Sequence, residues 1–274
     1  MRRSLYAGVV ALGLILGSTG TALAGPAHDY AGSRTPRSEK HSVPSGSLSG
    51  AQKKIVGPDV SNHNGCAIDW AAVARRRDFA FMKASEGITF TDWCFVANYA
   101  GPGSWRESRA VHIPRGAYDF GRPHADLSTA RAEADHYVRV VKSVGGFHHA
   151  LPPVLDVEVN DDGINRHQMR RWIKAWIQRV RAHTKRKTIT IYTGNWWWGP
   201  NVGKWKPKGA LLWASCYCSS WRVNPVAAWG KPNWWQYTDG VYGPKPHKAP
   251  GIGYTDQSFW LGSKSALLAL TQKP

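Results

Sequence analysis

The chain has 274 residues, four cysteines, fifteen tryptophans and a formal net charge of +18. No segment stays apolar over the roughly twenty residues that a membrane helix needs, which excludes a membrane-spanning protein. The length suits one α/β barrel or two smaller domains. An excess of +13 falls on residues 55–274 and favours a polyanionic partner, although charge alone does not distinguish nucleic acid from an acidic polymer outside the cell.

Residues 1–24 have the pattern of an export signal. Arg2 and Arg3 precede an apolar run of about twelve residues, and Ala22-Leu23-Ala24 fits a small-residue cleavage site. The alternative, a membrane anchor, would need a longer apolar run. Residues 25–54 are rich in Gly, Ser, Pro and charge, which predicts a disordered lead before the folded domain. The sequence therefore indicates a secreted protein whose folded domain spans 55–274.

Predicted strands and helices alternate from residue 55 onward. The strand-like runs are residues 55–60, 79–83, 113–120, 151–159, 188–192 and 210–214, with weaker candidates at 234–238 and 252–259. Apolar stripes at helical spacing run from Met169 to Val180 and from Tyr137 to Val144, and residues 263–272 form one closing helix. This alternation predicts parallel strands joined by crossover helices. Because no Gly-x-Gly-x-x-Gly or Walker loop opens a helix, we favour a single-domain α/β fold, a TIM-like barrel, over a nucleotide-binding sheet.

Two carboxylates, Asp156 and Glu158, lie near the end of the apolar run of residues 151–159. Strand alternation places them on one face, where burial of both is unfavourable. Such a pair indicates an ion pair, a metal site, or catalysis by one protonated and one ionised acid. Asp59 and Asp256 also lie at predicted strand ends. Acids that share a barrel mouth raise at least one pKa among them, as a glycosidase requires of its general acid.

Tryptophans follow two of the predicted strands. Trp196-Trp197-Trp198 comes after residues 188–192, where we expect a loop with at least one ring facing outward. In Trp234-Trp235 we expect one ring in the core and the next at the mouth. Such rings either stack among themselves or form platforms for the apolar faces of sugars.

The four cysteines agree with an oxidising compartment, and three disulfide connectivities are possible. A bridge between Cys66 and Cys94 would leave Cys216 and Cys218 on one face of a strand, either as a tight bridge or as thiols. Zinc-binding spacings are absent from the sequence, so we expect no metal and no cofactor.

Several motifs occur in an order that resembles a known family. The chain opens its folded domain with Asp59-Val60-Ser61-Asn62-His63-Asn64-Gly65. Further motifs follow at Ile68–Trp70, Phe81–Gly87, Arg115–Tyr118, Leu155–Glu158, Ile191–Thr193, Leu212-Trp213 and Trp235–Tyr237. Together they resemble the glycoside hydrolase family 25 lysozymes, the Chalaropsis-type N-acetylmuramidases, over about residues 55–260.

The resemblance implies a modified β/α barrel that hydrolyses β-1,4 bonds between N-acetylmuramic acid and N-acetylglucosamine in peptidoglycan. By similarity, Glu158 is the general acid/base and Asp156 its partner, while Asp59 and Asp256 match the family's other mouth acids. The residues expected to bind the sugars are Tyr118, Tyr192, Trp196, Trp235 and Gln236. The resemblance leaves open whether the route is covalent, substrate-assisted or inverting.

One position departs from the family pattern, because Asp119 stands where members commonly carry His after the tyrosine of Gly-Ala-Tyr. Alternation places Asp119 on the strand face opposite Tyr118, so we expect it to point away from the mouth.

The expected partners are peptidoglycan glycan strands and anionic wall polymers, with no nucleic acid, and we expect a monomer. Two alternatives stay open. A chitinase-like glycosidase would carry a longer Asp-rich run before the glutamate. A non-catalytic wall-binding protein would have no use for buried carboxylates.

Overall fold

The computed structural model describes residues 29–40, 54–98 and 101–272. The signal sequence predicted over residues 1–24 lies outside the described residues. The strands are β1 Ile55–Val60, β2 Ala80–Glu86, β3 Phe90–Thr91, β4 Ala97–Asn98, β5 Gly101–Pro102, β6 Arg115–Phe120, β7 Val154–Asp156, β8 Ile189–Gly194, β9 Ala210–Ser215, β10 Trp234–Thr238, β11 Lys248–Ala249, β12 Gly253–Tyr254 and β13 Gln257–Trp260. The α-helices are α1 Trp70–Arg76, α2 Trp93–Val96, α3 Ser104–Ala110, α4 Leu127–Ser143, α5 Arg166–Thr184, α6 Asn195–Asn201 and α7 Lys264–Gln272.

Eight strands form a closed barrel in the order β1-β13-β10-β9-β8-β7-β6-β2, and pairing of β2 with β1 completes the circle. Seven strands are parallel, and β13 runs antiparallel between β10 and β1. The beginning of β13 therefore lies at the same end of the barrel as the carboxyl ends of its neighbours. The predicted α/β barrel is confirmed, with one reversed strand.

The inside of the barrel holds a layer of aromatic side chains. Phe81 stacks on Trp213 with ring centroids 4.3 Å apart, and Tyr192 meets Trp213 edge-on at 4.7 Å. Gly116 is required beneath them, because a Cβ there would lie 2.4 Å from the Phe81 ring. The inside of the barrel is thus a packed core, and aromatic rings close it below the mouth.

A larger apolar cluster fills the space between the strands and the helices. Helix α5 begins at a capping box in which Asn165 and Gln168 satisfy each other's backbone N–H groups. Its predicted stripe, including Trp172 and Trp176, is buried in this cluster, and α5 packs against α4. The two helices predicted from apolar periodicity are both present.

Two local predictions were wrong. Residues 196–198 belong to the short helix α6 rather than to a loop, and Trp197 and Trp198 are buried. The fourth predicted strand, residues 151–159, is hydrogen-bonded as a strand only over Val154–Asp156.

The expectation of a disordered lead does not hold for residues 29–40, which we call the N-terminal segment. It contains a turn and the 3₁₀ helix Arg37–Glu39, and it packs against the barrel. Ala31 within it is fully buried. The rest of the lead, residues 25–28 and 41–53, lies outside the described residues.

Both disulfides are formed, Cys66 with Cys94 and Cys216 with Cys218. The first joins the loop after β1 to helix α2. The second bridges two residues just after β9. Within the described residues, no helix is long and apolar enough to cross a membrane.

Candidate active site

The four predicted acids gather at the carboxyl end of the parallel strands. Asp59 lies near the end of β1, Asp156 ends β7, Glu158 follows it by two residues, and Asp256 immediately precedes β13. The reversal of β13 brings Asp256 to this end, and the Asp59 backbone N–H donates to the Asp256 carbonyl at 3.1 Å. All four side chains are buried, with at most 5% of each residue exposed.

Burial shifts the acids towards their protonated forms. It raises the pKa of Glu158 to about 8, although backbone N–H groups of Gly32 and Arg34 oppose the shift. The pKa of Asp156 lies well above its ordinary value because of burial and the neighbouring charge of Glu158. Asp156 has no hydrogen-bond partner for either carboxyl oxygen among the described residues. The cluster therefore holds protons near neutral pH, as a general acid requires.

Gln236 connects the acids to two tyrosines. Its Nε2 donates to Asp59 Oδ1 at 3.0 Å, while its Oε1 accepts from Tyr192 at 2.6 Å and from Tyr217 at 3.0 Å. Burial raises the pKa of Asp59 to about 8, and the hydrogen bond from Gln236 partly offsets this rise. Tyr118 also lies among these groups; burial raises its pKa well above the ordinary value, and the charges of Asp59 and Asp156 raise it further.

One peptide group lies between Gln236 and Glu158. The carbonyl of Ala31 accepts from Gln236 Nε2 at 3.2 Å, and the next N–H, that of Gly32, donates to Glu158 Oε1 at 2.9 Å. Tyr118 Oη accepts from the N–H of Ala31 at 3.3 Å. The acid cluster can therefore bind both polar groups of a secondary amide at the same time.

Two of the predicted sugar-binding residues lie away from the acids. Trp235 is on the outer face of β10, where it packs on Phe259 and donates to the Cys216 carbonyl at 2.8 Å. Alternation explains this, since Gln236 points inward and its neighbour must point outward. Trp196 is half-buried against the outer core at the start of α6.

Asp119 points away from the mouth, as alternation predicts. It accepts hydrogen bonds from Ser85 at 2.6 Å and from Trp176 Nε1 at 2.9 Å, between the barrel and helix α5. Asp119 also shares a hydrogen bond with Glu133 of α4. It therefore adds no fifth acid to the site.

Sequence reasoning missed Lys83 and Tyr217 as members of the site. Lys83 is buried, donates to Glu86 at 2.6 Å, and lowers the pKa of Asp156 by its charge. A lysine at an inward position of the apolar strand β2 was a usable signal. Tyr217 gave none, because it follows β9 in a region without strand alternation.

The described residues contain no group of three or more His, Cys, Asp or Glu side chains arranged to hold a metal ion. The groups that the described site offers are carboxylic acids, one amide side chain, tyrosine hydroxyls and the ammonium of Lys83.

The family of the chain is identified by a match to a protein-family model. The model for Glycosyl hydrolases family 25 matches residues 58–245, more than half of the chain. The chain belongs to this family. It is therefore a glycoside hydrolase.

Named relatives agree with the family. The chain is 31% identical to Lysozyme M1 of Streptomyces globisporus, over 97% of this chain and 92% of that protein. It is 27% identical to the N,O-diacetylmuramidase of Chalaropsis sp, over 68% of this chain and 88% of that one.

Solved structures of family members share the fold. A bacterial lysozyme from Streptomyces coelicolor superposes with a TM-score of 0.67 at 30% identity, covering 80% of this chain and 98% of the lysozyme. A muramidase from Trichobolus zukalii gives a TM-score of 0.64 at 26% identity, covering 80% of this chain and 99% of that one.

Proposed function

We propose that the chain is a secreted N-acetylmuramidase, which hydrolyses the β-1,4 bond between N-acetylmuramic acid and N-acetylglucosamine in peptidoglycan. The observation that carries this is the amide held between Gln236 and Glu158 within the acid cluster. An acetamido substituent of a sugar presents the same C=O and N–H pair as a peptide group. The names of the lysozyme and muramidase relatives support the same substrate.

Glu158 is the proposed proton donor. Its Oε1 accepts from Gly32, and its Oε2 has no partner among the described residues, which leaves Oε2 to carry the proton. Transfer of this proton to the glycosidic oxygen accompanies cleavage of the C–O bond, whose electron pair leaves with that oxygen. Positive charge then develops on the sugar ring; this charge favours the ionised form of Asp156 beside it, and the Asp156 carboxylate in turn stabilises the charge.

Water completes the reaction. Its oxygen bonds to the anomeric carbon, and its surplus proton restores the protonated acid, so that one bond and one water molecule are consumed. Asp59 and Gln236 hold the amide end of the substrate in this scheme, and the aromatic layer below limits how deep a sugar can enter. One chain supplies every group, so we propose that it acts as a monomer.

A basic pocket supports anionic wall polymers as further partners. It lies at the opposite end of the barrel, beside the first residue of β6, and its cavity has a volume of about 620 Å³. Its charged and titratable lining residues are Arg106, Arg109, His112, Arg115 and His149, with no acidic residue among those lining it. Burial and the neighbouring charge of Arg109 lower the pKa of Arg115 to about 10. An anion in this pocket would relieve that repulsion.

The proposed role of Glu158 is tested by Glu158→Gln. The variant keeps the shape of the side chain but has no proton to donate, so release of reducing ends from purified peptidoglycan should fall at least about 10²-fold. Glu133→Gln, the same substitution at a buried acid outside the site, should retain activity. A Glu158→Gln variant with near-unchanged turnover would exclude the assignment.

The bond that is cut is identified from the products. Borohydride reduction of the digest should convert N-acetylmuramic acid, rather than N-acetylglucosamine, to its alditol. Reduced N-acetylglucosamine would indicate a glucosaminidase instead. Faster release of reducing ends from chitin than from peptidoglycan would favour the chitinase alternative.

A further inference from the structure

The N-terminal segment occupies the place where a substrate would bind. Its peptide group at Ala31–Gly32 uses the Gln236 donor and the Glu158 acceptor described above. The Asp29 carbonyl accepts from Lys83, another group of the site. A glycan cannot reach Glu158 or Gln236 while these atoms are covered.

The fit of Gly32 is close. Its φ of +92° suits glycine, and a Cβ at this position would lie 2.2 Å from the Tyr217 hydroxyl. The same Cβ would lie 3.0 Å from Gln236 Oε1 and 3.1 Å from the Tyr192 hydroxyl. The segment therefore enters the site at a residue with no side chain, where the backbone can approach the catalytic groups.

Side-chain contacts hold the segment on both sides of this point. The Tyr30 ring lies 4.5 Å from the His63 ring, and Thr35 Oγ1 lies 3.3 Å from Ser215 Oγ. Ion pairs and polar contacts link Asp29 to Arg122 at 2.5 Å, Glu39 to Asn224 at 2.8 Å, and Lys40 to Asp239 at 3.2 Å. These partners lie at or after the carboxyl ends of β1, β6, β9 and β10. The segment therefore spans the mouth of the barrel.

The segment precedes residues 58–245, which match the family model. The segment also takes part in the electrostatics of the site, because the Gly32 N–H donates to Glu158, and burial together with the charges of Asp256 and Asp59 raises the pKa of Tyr30. We propose that residues 29–40 are an autoinhibitory pro-segment, so that the chain is latent until this segment is displaced from the mouth or cut away. The inference rests on the proposed function, because it takes the covered groups to be those that bind and cleave the glycan.

The first test places a side chain where none fits. Gly32→Val should expel the segment and raise release of reducing ends from purified peptidoglycan by at least about tenfold, equivalent to about 1.4 kcal/mol of lost segment binding. Ser38→Val adds a β-branched residue at an exposed position of the same segment and should behave as wild type. Asp29→Arg, which repels Arg122 and Lys83, should activate in the same direction if Gly32→Val folds poorly.

Hydrogen exchange gives a readout that does not need activity. In the wild-type chain the amides of Ala31 and Gly32 should be protected, and in Gly32→Val they should exchange at the rate of an unstructured peptide. Fast exchange in the wild type, or loss of protection in the variant with no gain in turnover over an active wild type, would overturn autoinhibition. Loss of protection with neither chain cleaving any glycan would instead overturn the proposed function.

A cut chain and a free peptide provide an independent test. A recognition sequence for a specific protease, inserted between Gly46 and Ser47, allows the segment to be severed from the folded protein. Activity should rise after the cut and dilution, and a synthetic peptide of residues 29–40 should then inhibit, whereas the same peptide with Gly32→Val should not. Equal activity before and after the cut, with no inhibition by the peptide, would refute the proposal.

Discussion

Gln236 shows how much of the site depends on a single neutral side chain. It donates to Asp59 and accepts from Tyr192 and Tyr217, so that three buried polar groups lose a partner if the amide is removed. Its Nε2 is also the donor that recognises an amide carbonyl at the mouth. Positioning and recognition are therefore combined in one residue.

Gln236→Leu should impair substrate binding as well as folding. A buried polar group left without its partner costs about 1–3 kcal/mol, so kcat/KM on soluble glycan fragments should fall roughly tenfold to a hundredfold, mainly through KM. The reference variant is Gln257→Leu, at a buried glutamine that bonds Arg77 and the Pro246 carbonyl instead. Equal kinetic losses in the two variants would show that Gln236 acts only through stability.

At the scale of elements, the packing of α4 and α5 on the barrel contains a pair of buried acids. Asp119 of β6 and Glu133 of α4 share a hydrogen bond, and burial raises the pKa of Asp119 to about 7. The pKa of Glu133 lies well above its ordinary value, through burial and the charge of Asp119. A proton shared between the two acids therefore joins the helix to the strand.

Glu133→Gln should flatten the pH dependence of stability. A carboxyl whose pKa is raised by folding imposes no penalty below its unfolded pKa, and the penalty grows as the pH rises towards the folded value. The free energy of unfolding of the wild type should thus fall from pH 5 to pH 9 by more than that of Glu133→Gln, with the variant the more stable at pH 9. Asp162→Asn, at an exposed carboxylate, should follow the wild type; a Glu133→Gln curve parallel to it would contradict the shared proton.

The elements show what sequence patterns could and could not predict. Apolar runs in the sequence predicted the positions of the eight barrel strands. Strand alternation predicted that Asp156 and Glu158 lie close together and that Asp119 faces away from the mouth, as the structure has them. Alternation also means that Trp235 and Gln236 cannot both face the mouth, a conflict visible in the sequence.

Other features left no such pattern. The N-terminal segment has few apolar residues, and it is ordered by backbone hydrogen bonds to distant side chains, so composition predicted disorder. Helix α6 includes Gly199 and Pro200, which are poor helix formers, and it is held by burial of Trp197 and Trp198. Tertiary packing, rather than local sequence preference, therefore determines the order of the N-terminal segment and the helical structure of α6.

At the scale of the whole molecule, the acids and the basic pocket lie at opposite ends of the barrel. Arg106 and Arg109 are exposed on α3, and Arg115 begins β6, whereas Asp156 ends the neighbouring strand. An anionic polymer bound in the basic pocket would not compete with a glycan bound at the mouth.

The double variant Arg106→Gln/Arg109→Gln should bind purified cell walls more weakly, and its binding should depend less on salt because two charges are lost. Its turnover of short glycan fragments should be unchanged. The double variant Arg131→Gln/Arg171→Gln removes two exposed charges from α4 and α5 and should bind walls as the wild type does. Equal loss of wall binding in both would mean that net charge, and not this pocket, governs attachment.

The N-terminal segment and the barrel are parts of one chain, and this has a quantitative consequence. A ligand joined to its site by a short stretch of chain is present at an effective concentration on the order of millimolar, however dilute the protein is. Contacts that would hold a free peptide only at high peptide concentration thus suffice to fill the mouth in the intact chain. After a single backbone cut, occupancy falls with dilution, so the same contacts that close the site inside a tethered chain would open it in a large volume.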